Sequence, residues 1–280
     1  MTYKHLLVHL DDGKGCASRV DAAVRLAARH GAHLTGFYPI VEIPLLNTIR
    51  ERIPRDIQAS MEAEAKARAE AALKGFQKAA ERGGIAYETR TDHALDTTLA
   101  SVLSMHARYA DLVVLGQVDP DEPPYVGSHL PEEVVLASGR PLLVVPHAWA
   151  PGPLGERVLV AWDASREAAR AVNDAMPILE QAASVLVVSI NPKSTPLGHG
   201  EVPGAGIAVH LARHKVEVEV QSVEMDRMEI GDALLSFATA RGCDLLVMGA
   251  YAHSRVRELV LGGATRTILK SMTLPVLTAH

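Results

Sequence analysis

Short, almost unbroken apolar runs alternate along the chain with longer stretches in which apolar residues return every three or four positions. The short runs read as strands buried on both faces of a parallel sheet, and the longer stretches as helices packed on one side. In the first half the pattern predicts strands over 4–10, 33–38, 86–91, 111–116 and 141–146, with helices over 17–30, 56–82, 95–109 and 129–138. In the second half it predicts strands over 157–162, 184–190, 216–223, 244–249 and 275–278, with helices over 165–181, 205–214, 230–242 and 263–271. Regular alternation of strand and helix means βαβ units. The fold class is therefore α/β, two tandem doubly wound domains, each a five-stranded parallel sheet with helices on both faces. Local signals agree: Asp56 is placed to cap the long Ala-, Glu- and Lys-rich second helix, Gly83 and Gly84 to end it, and Ser165 to cap the first helix of the second half.

The two halves are one unit written twice. Leu6-Leu-Val-His-Leu-Asp11 is repeated by Val158-Leu-Val-Ala-Trp-Asp163, so that Asp11 and Asp163 correspond. Asp111-Leu-Val-Val-Leu-Gly116 is echoed by Asp244-Leu-Leu-Val-Met-Gly249, and Arg140-Pro-Leu-Leu-Val-Val145 by Leu274-Pro-Val-Leu-Thr278. The landmarks recur in the same order, which sets domains at 1–148 and 155–280 joined by the Pro- and Gly-containing segment from His147 to Gly155. The first copy carries extra residues around Val41 to Ser60. Its stretch Val41 to Ile49 is apolar for a loop, suited to covering a core or meeting another surface.

Composition narrows the function. With 280 residues, 48% hydrophobic and 22% charged, the chain has material for two cores and none of the bias of a disordered or fibrous protein. Its 33 acidic residues against 28 basic ones, a net charge of −5, give no field that would draw it to nucleic acid or an anionic membrane. No segment approaches the length of a membrane span. Cys16 and Cys243 are far apart and in no ligand spacing, which suits the reducing cytoplasm.

In an open parallel sheet, ligands bind beyond the carboxyl ends of the strands where strand order reverses. In the second copy that places Asp163 and Gly249 at the site. After Gly249 a loop containing His253 and Arg255 leads to Gly262-Gly263-Ala264-Thr265, which opens a helix next to Arg266. Unbonded N–H groups and the positive end of the helix dipole favour an anion such as phosphate there, and glycines let the main chain come close.

These residues carry a family resemblance. The whole chain resembles a tandem universal stress protein, two copies of a fold related to the adenine nucleotide α-hydrolase group. ATP-binding members carry G-2x-G-9x-G-[S/T] after the fourth strand, and here the segment reads Gly249-x2-Ala252-x9-Gly262-Gly263. The spacing fits, with Ala252 in place of the second glycine and Gly263 in place of the hydroxyl residue, Thr265 following two positions on. The resemblance implies an adenine nucleotide, ATP with Mg²⁺, held by Asp163 and its neighbours Ala161 and Trp162, by Ile190 at the second strand end, and by Gly249, Ala252, His253, Arg255, Gly262, Gly263, Ala264 and Thr265. It implies a cytoplasmic regulator of stress tolerance that works through unidentified protein partners, without catalytic or metal-ligating residues. It also implies pairing through fifth strands, between the two halves or between two copies of the chain. In the first copy the corresponding loop holds Asp119, Asp121, Glu122 and three prolines, and its Gly127-Ser128 stands two residues short of the motif. Carboxylates there repel phosphate. That copy is degenerate, and Asp11 reads as structural.

Other chemistries have thinner support. Gly13-Lys-Gly15-Cys-Ala-Ser18 imitates a dinucleotide fingerprint, but no acid ends the second strand, and neither a P-loop nor a G-x-S-x-G elbow occurs. His210 and His214 have the spacing of two zinc ligands on a helix without a visible third. Cys16 becomes redox-sensitive only if the adjoining helix start lowers its pKa. A scaffold without ATP, or a protein that holds another small molecule or a metal, stands as the alternative.

Overall fold

The computed structural model describes residues 2–42, 53–119, 121, 127, 129–192, 202–225, 228–251 and 263–280. The expected α/β architecture is present, in two compact units, Tyr3–Ser138 and Gly139–His280. Much of the first-copy insertion, including most of the apolar stretch Val41 to Ile49, lies outside the described residues, as do Val256, Leu259, Val260 and Leu261 in the loop of the second copy.

In the first unit, strand β1 (His5–His9) leads through helix α1 (Cys16–His30) to β2 (His33–Glu42), then through α2 (Arg55–Arg82) to β3 (Tyr87–Leu95). Helix α3 (Leu99–Ala107) follows, then β4 (Leu112–Gly116) and α4 (Leu130–Ser138). The strand order is β3-β2-β1-β4, all parallel, and reverses between β1 and β4. Right-handed crossovers then carry the early and late helices to opposite faces. Accordingly α1 packs with α2, and α3 with α4. The apolar runs are the core: Leu6, Leu7, Leu112, Val113 and Val114 are fully buried.

Three boundaries differ most from the periodicity. Strand β2 runs on to Glu42 and β3 to Leu95, because the two strands stay in register from Leu34 opposite Tyr87 to Glu42 opposite Leu95. The helix expected from residue 95 therefore begins only at Leu99, after a short 3-10 turn. Pro39 is tolerated because β1 stops pairing with β2 at Phe37, so no partner on that side needs its missing N–H. Asp56 is not the cap of α2; Pro54 is, and Asp56 sits in the first turn, where its charge favours the helix dipole. Gly83 closes α2, and Gly84 takes the left-handed conformation, as the glycine pair predicts.

In the second unit, β5 (Leu142–Val145) is followed by β6 (Arg157–Ala161), α5 (Arg166–Leu179), β7 (Ser184–Ile190), α6 (Ala205–Arg213) and β8 (Val218–Val223). Then come α7 (Ile230–Ala240), β9 (Leu245–Gly249), α8 (Gly263–Ser271) and β10 (Val276–Ala279). The order is β5-β10-β9-β6-β7-β8, and strand order reverses between β6 and β9. Pairing is parallel from β10 to β8, while β5 runs antiparallel to β10, with Leu143 opposite Leu277. Ser165 caps α5 as expected, its hydroxyl accepting the Ala168 N–H at 3.0 Å. Among the described residues no helix is long and apolar enough to cross a membrane.

Candidate functional site

The carboxyl ends of β6, β7 and β9 lie side by side in the second unit and bring together most of the described residues singled out from the sequence. Ala161 ends β6, and Trp162 continues the strand direction, its N–H donating to Val188 O at 2.8 Å and its carbonyl accepting the Ser189 hydroxyl at 2.9 Å. Asp163 follows, exposed, with Oδ1 accepting the Ser165 N–H at 3.0 Å. That bond makes an Asx turn, the local reason for an acid just before a helix cap. Ile190 ends β7, and Gly249 ends β9. Gly263, Ala264 and Thr265 are the first residues of α8, with Gly263 exposed and Thr265 buried. Ala252, His253, Arg255 and Gly262 lie outside the described residues.

Backbone strain gathers at these strand ends. Of the four left-handed non-glycine residues described, Ala164 (φ 60°), Asn191 (φ 47°) and Tyr251 (φ 59°) follow β6, β7 and β9 in turn, while Lys215 (φ 64°) lies just after α6. Such residues cost energy unless their surroundings over-determine them, and they concentrate at ligand sites. Asn191 is held by a reciprocal clamp: Met225 N–H donates to Oδ1 at 2.7 Å, and Nδ2 donates to Met225 O at 3.0 Å. No sequence pattern signalled any of the three.

Two motif residues also have packing duties. A Cβ on Gly249 would stand 2.5 Å from Ala168 N and 2.6 Å from Glu167 C, so glycine is required there for the first turn of α5 to close on β9. The Thr265 hydroxyl accepts the Tyr251 N–H at 3.2 Å, tying the start of α8 to the end of β9.

The corresponding strand ends of the first unit are organised differently. Arg19, on the first turns of α1, is 4% exposed; its Nε–H donates to His9 O at 2.7 Å, and Nη2 lies 2.7 Å from Asp11 Oδ2. Burial pushes the Asp11 carboxyl up, but the Arg19 charge and hydrogen bond, His9 and the Gly13 N–H together outweigh it and hold Asp11 below its ordinary range. Burial lowers His9 to about 4, so its imidazole is neutral at pH 7. The next acid, Asp12, accepts the Tyr38 hydroxyl at 3.0 Å and lies 3.3 Å from Arg68. Asp11 thus has the structural role expected of it. Arg19 was missed, although an arginine in a stripe shared with Ala23, Leu26 and His30 is itself a signal, since an arginine on an apolar face needs a partner such as Asp11.

The remaining candidates resolve locally. The Cys16 thiol is pushed up by burial, the opposite of the activation that redox chemistry needs. The rings of His210 and His214 stand 4.9 Å apart, and His214 Nδ1 is 3.7 Å from Glu180 Oε1. No group of three His, Cys, Asp or Glu side chains among the described residues is arranged to hold a metal ion.

Comparison with known proteins agrees with this architecture. The family model described as "Universal stress protein family" matches residues 2–146 and again 155–280. A universal stress protein of Synechocystis is 26% identical over 156 residues, 55% of this chain and 51% of that protein, so the chain spans about half the length of the curated relative it matches. Among solved structures, a universal stress protein from Archaeoglobus fulgidus DSM 4304 superimposes with a TM-score of 0.76 at 17% identity, covering 98% of this chain and 95% of that one. A protein of unassigned function from Pseudomonas aeruginosa PAO1 gives a TM-score of 0.57 at 14% identity, covering 99% and 92%. At such identities the likeness of structure speaks to the fold, whereas the double family match covers nearly every residue: the chain belongs to the universal stress protein family and carries its domain twice.

Proposed function

We propose that the second copy binds an adenine nucleotide, ATP with Mg²⁺, beyond the carboxyl ends of β6, β7 and β9, and that the protein acts as a ligand-gated cytoplasmic regulator rather than a fast enzyme. The observation that carries this reading is the cluster of three left-handed residues, Ala164, Asn191 and Tyr251, around the exposed Asp163 at a point of strand reversal. Asp163 meets the purine, with Ala161, Trp162 and Ile190 around it. Gly249, Gly263, Ala264 and Thr265 serve the ribose and phosphates together with Ala252, His253, Arg255 and Gly262, the last four by motif alone. Mg²⁺ screens the phosphate charge. Nucleotide occupancy changes the surface offered to a protein partner.

Isothermal titration with ATP and Mg²⁺ tests this on the intact chain, on Asp163→Ala and on Gly262→Val. Saturable binding that both substitutions weaken supports the reading. Absence of binding at millimolar ATP defeats it, and binding unchanged in both variants defeats the residue assignment.

One observation favours the alternative, a scaffold or a binder of some other small molecule. The Thr265 oxygen already accepts the Tyr251 N–H and the residue is buried, so burial stands between its remaining O–H donor and a phosphate. A different molecule retained through purification and identified by mass spectrometry would select it.

A further inference from the structure

The strand-end corner of the first copy, where β1 and β4 part, is occupied by the Arg19 side chain. The ladder between β1 and β4 ends with Val8 opposite Val114, and the next carbonyl, that of His9, accepts Nε–H of Arg19. One edge of the same guanidinium faces Asp11, and its Nη1 lies against Gly116 so closely that a Cβ there would overlap it. Tyr38 and Arg68 engage Asp12 beside it. A flat cation therefore rests between a strand-end carbonyl, a carboxylate and a glycine, at the position where strand order reverses. In the second copy, backbone atoms of Glu167 and Ala168 fill the space beside the matching Gly249, and Asp163 is exposed.

We propose that Arg19 is a tethered occupant of a ligand pocket, and that the pocket accepts a planar group with N–H donors along one edge: a guanidinium, an amidine or the amino edge of a purine. The carboxylate and carbonyl both accept hydrogen bonds, and only a flat group fits against Gly116. A buried guanidinium with its carboxylate and carbonyl already matched leaves no room for a second such group. Arg19 thus closes the first copy to such a group; that the second copy is the open one rests on the reading of that copy as a nucleotide site. The acids at Asp119 and Asp121 add a reason to expect a ligand without phosphates.

The test uses the full chain carrying Asp163→Ala, which removes the acid assigned to the purine in the second copy, and titrates this Arg19 parent first so that any adenosine it still binds is measured. Adding Arg19→Ala should create one adenosine site by isothermal titration. It should also make the protein respond to low millimolar guanidinium, whose binding to the folded state raises the thermal midpoint by several degrees, while the Arg19 parent gives neither response. Adenosine binding assigns a purine edge; a guanidinium response alone assigns a cation pocket; both support the tethered occupant. Failure of both ligands overturns it and leaves Arg19 a packing residue. If Arg19→Ala does not fold alone, refolding in guanidinium against equal sodium chloride reads the same question: rescue supports the pocket, and equal failure overturns it. Because the Arg19 parent is titrated alongside, failure here is separable from failure of ATP to bind the unmodified chain.

Discussion

Asp244 and Arg157 bind each other through backbone and side chain at once. Arg157 N–H donates to Asp244 Oδ2 at 3.0 Å, and Asp244 N–H donates back to Arg157 O at 2.9 Å. The same carboxylate accepts the N–H groups of Gly155 at 2.7 Å and Glu156 at 3.0 Å. It gathers the amides leading into β6 that would otherwise lack partners. Asp244→Ala should cost about 2–3 kcal/mol by leaving partly buried donors unmet. Calorimetry should show a lower melting transition, with Asp244→Asn losing less because it keeps one acceptor oxygen.

Asp111 does the same work in the first copy, accepting the N–H groups of Lys4 at 2.7 Å and His5 at 3.0 Å while its own N–H donates to His5 O at 2.8 Å. The recurrence of these two acids was plain in the sequence, because a repeat is visible in residue identities alone. Their task was not, since it depends on which strand lies alongside. The same divide runs through the rest. Apolar runs placed the strands and their order in the chain, because burial on both faces forces that composition. The antiparallel pairing of β5 with β10 joins segments more than a hundred residues apart, and no local pattern encodes it. Gly249 was legible as a motif glycine, while its need to admit the first turn of α5 appears only when helix and strand meet. The left-handed states of Ala164 and Tyr251 were illegible for a simple reason: neither residue type favours positive φ.

Mild acid should destabilise the first copy through its histidines. His9 is buried and lowered to about 4, so between pH 6.5 and 4 the unfolded chain takes up a proton that the folded one refuses. Stability is complete above pH 6.5 and falls as pH drops through that window, by about 3 kcal/mol in all for a shift of this size. His30 is also pushed down to about 4, by burial and then by the Arg29 charge, and adds a share of the same sign. The depressed Asp11 acts only further down, where its stabilising ionisation is lost as pH falls through its folded-state value. Unfolding followed across pH 4 to 7 should show a shallower slope in His9→Gln than in the parent. An unchanged slope would mean that His9 is protonated in the fold.

The seat of α2 rests on the missing side chain of Gly36. Phe76, 1% exposed, lies on that glycine so closely that a Cβ would meet its Cδ1 and Cε1 at 2.7 Å. Gly36→Ala should cost about 1–3 kcal/mol, as overpacking of a filled core does. Phe76→Leu should also destabilise when alone, by leaving a void. Combined, the two should cost less than their sum, because the leucine vacates the space that the new methyl needs. Thermal midpoints of both single variants and the double measure this coupling, and strict additivity would show that the ring and the glycine do not constrain each other.

Strain at Ala164 sets stability against binding. Its left-handed backbone costs about 1–2 kcal/mol for a residue with a Cβ, and the Asx turn of Asp163 and the capping Ser165 hold it there. Ala164→Gly removes that penalty but returns roughly 0.4–1 kcal/mol through the greater freedom of glycine in the unfolded chain. The net expectation is a thermal midpoint equal to or slightly above the parent's. On the proposed nucleotide reading, ATP affinity should move the other way and fall severalfold, because a glycine lets the turn leave the conformation that holds the exposed Asp163 in place. Melting curves and titrations on the same preparations separate the two effects. A variant that gains stability and keeps its affinity would show that the strained turn serves the fold alone.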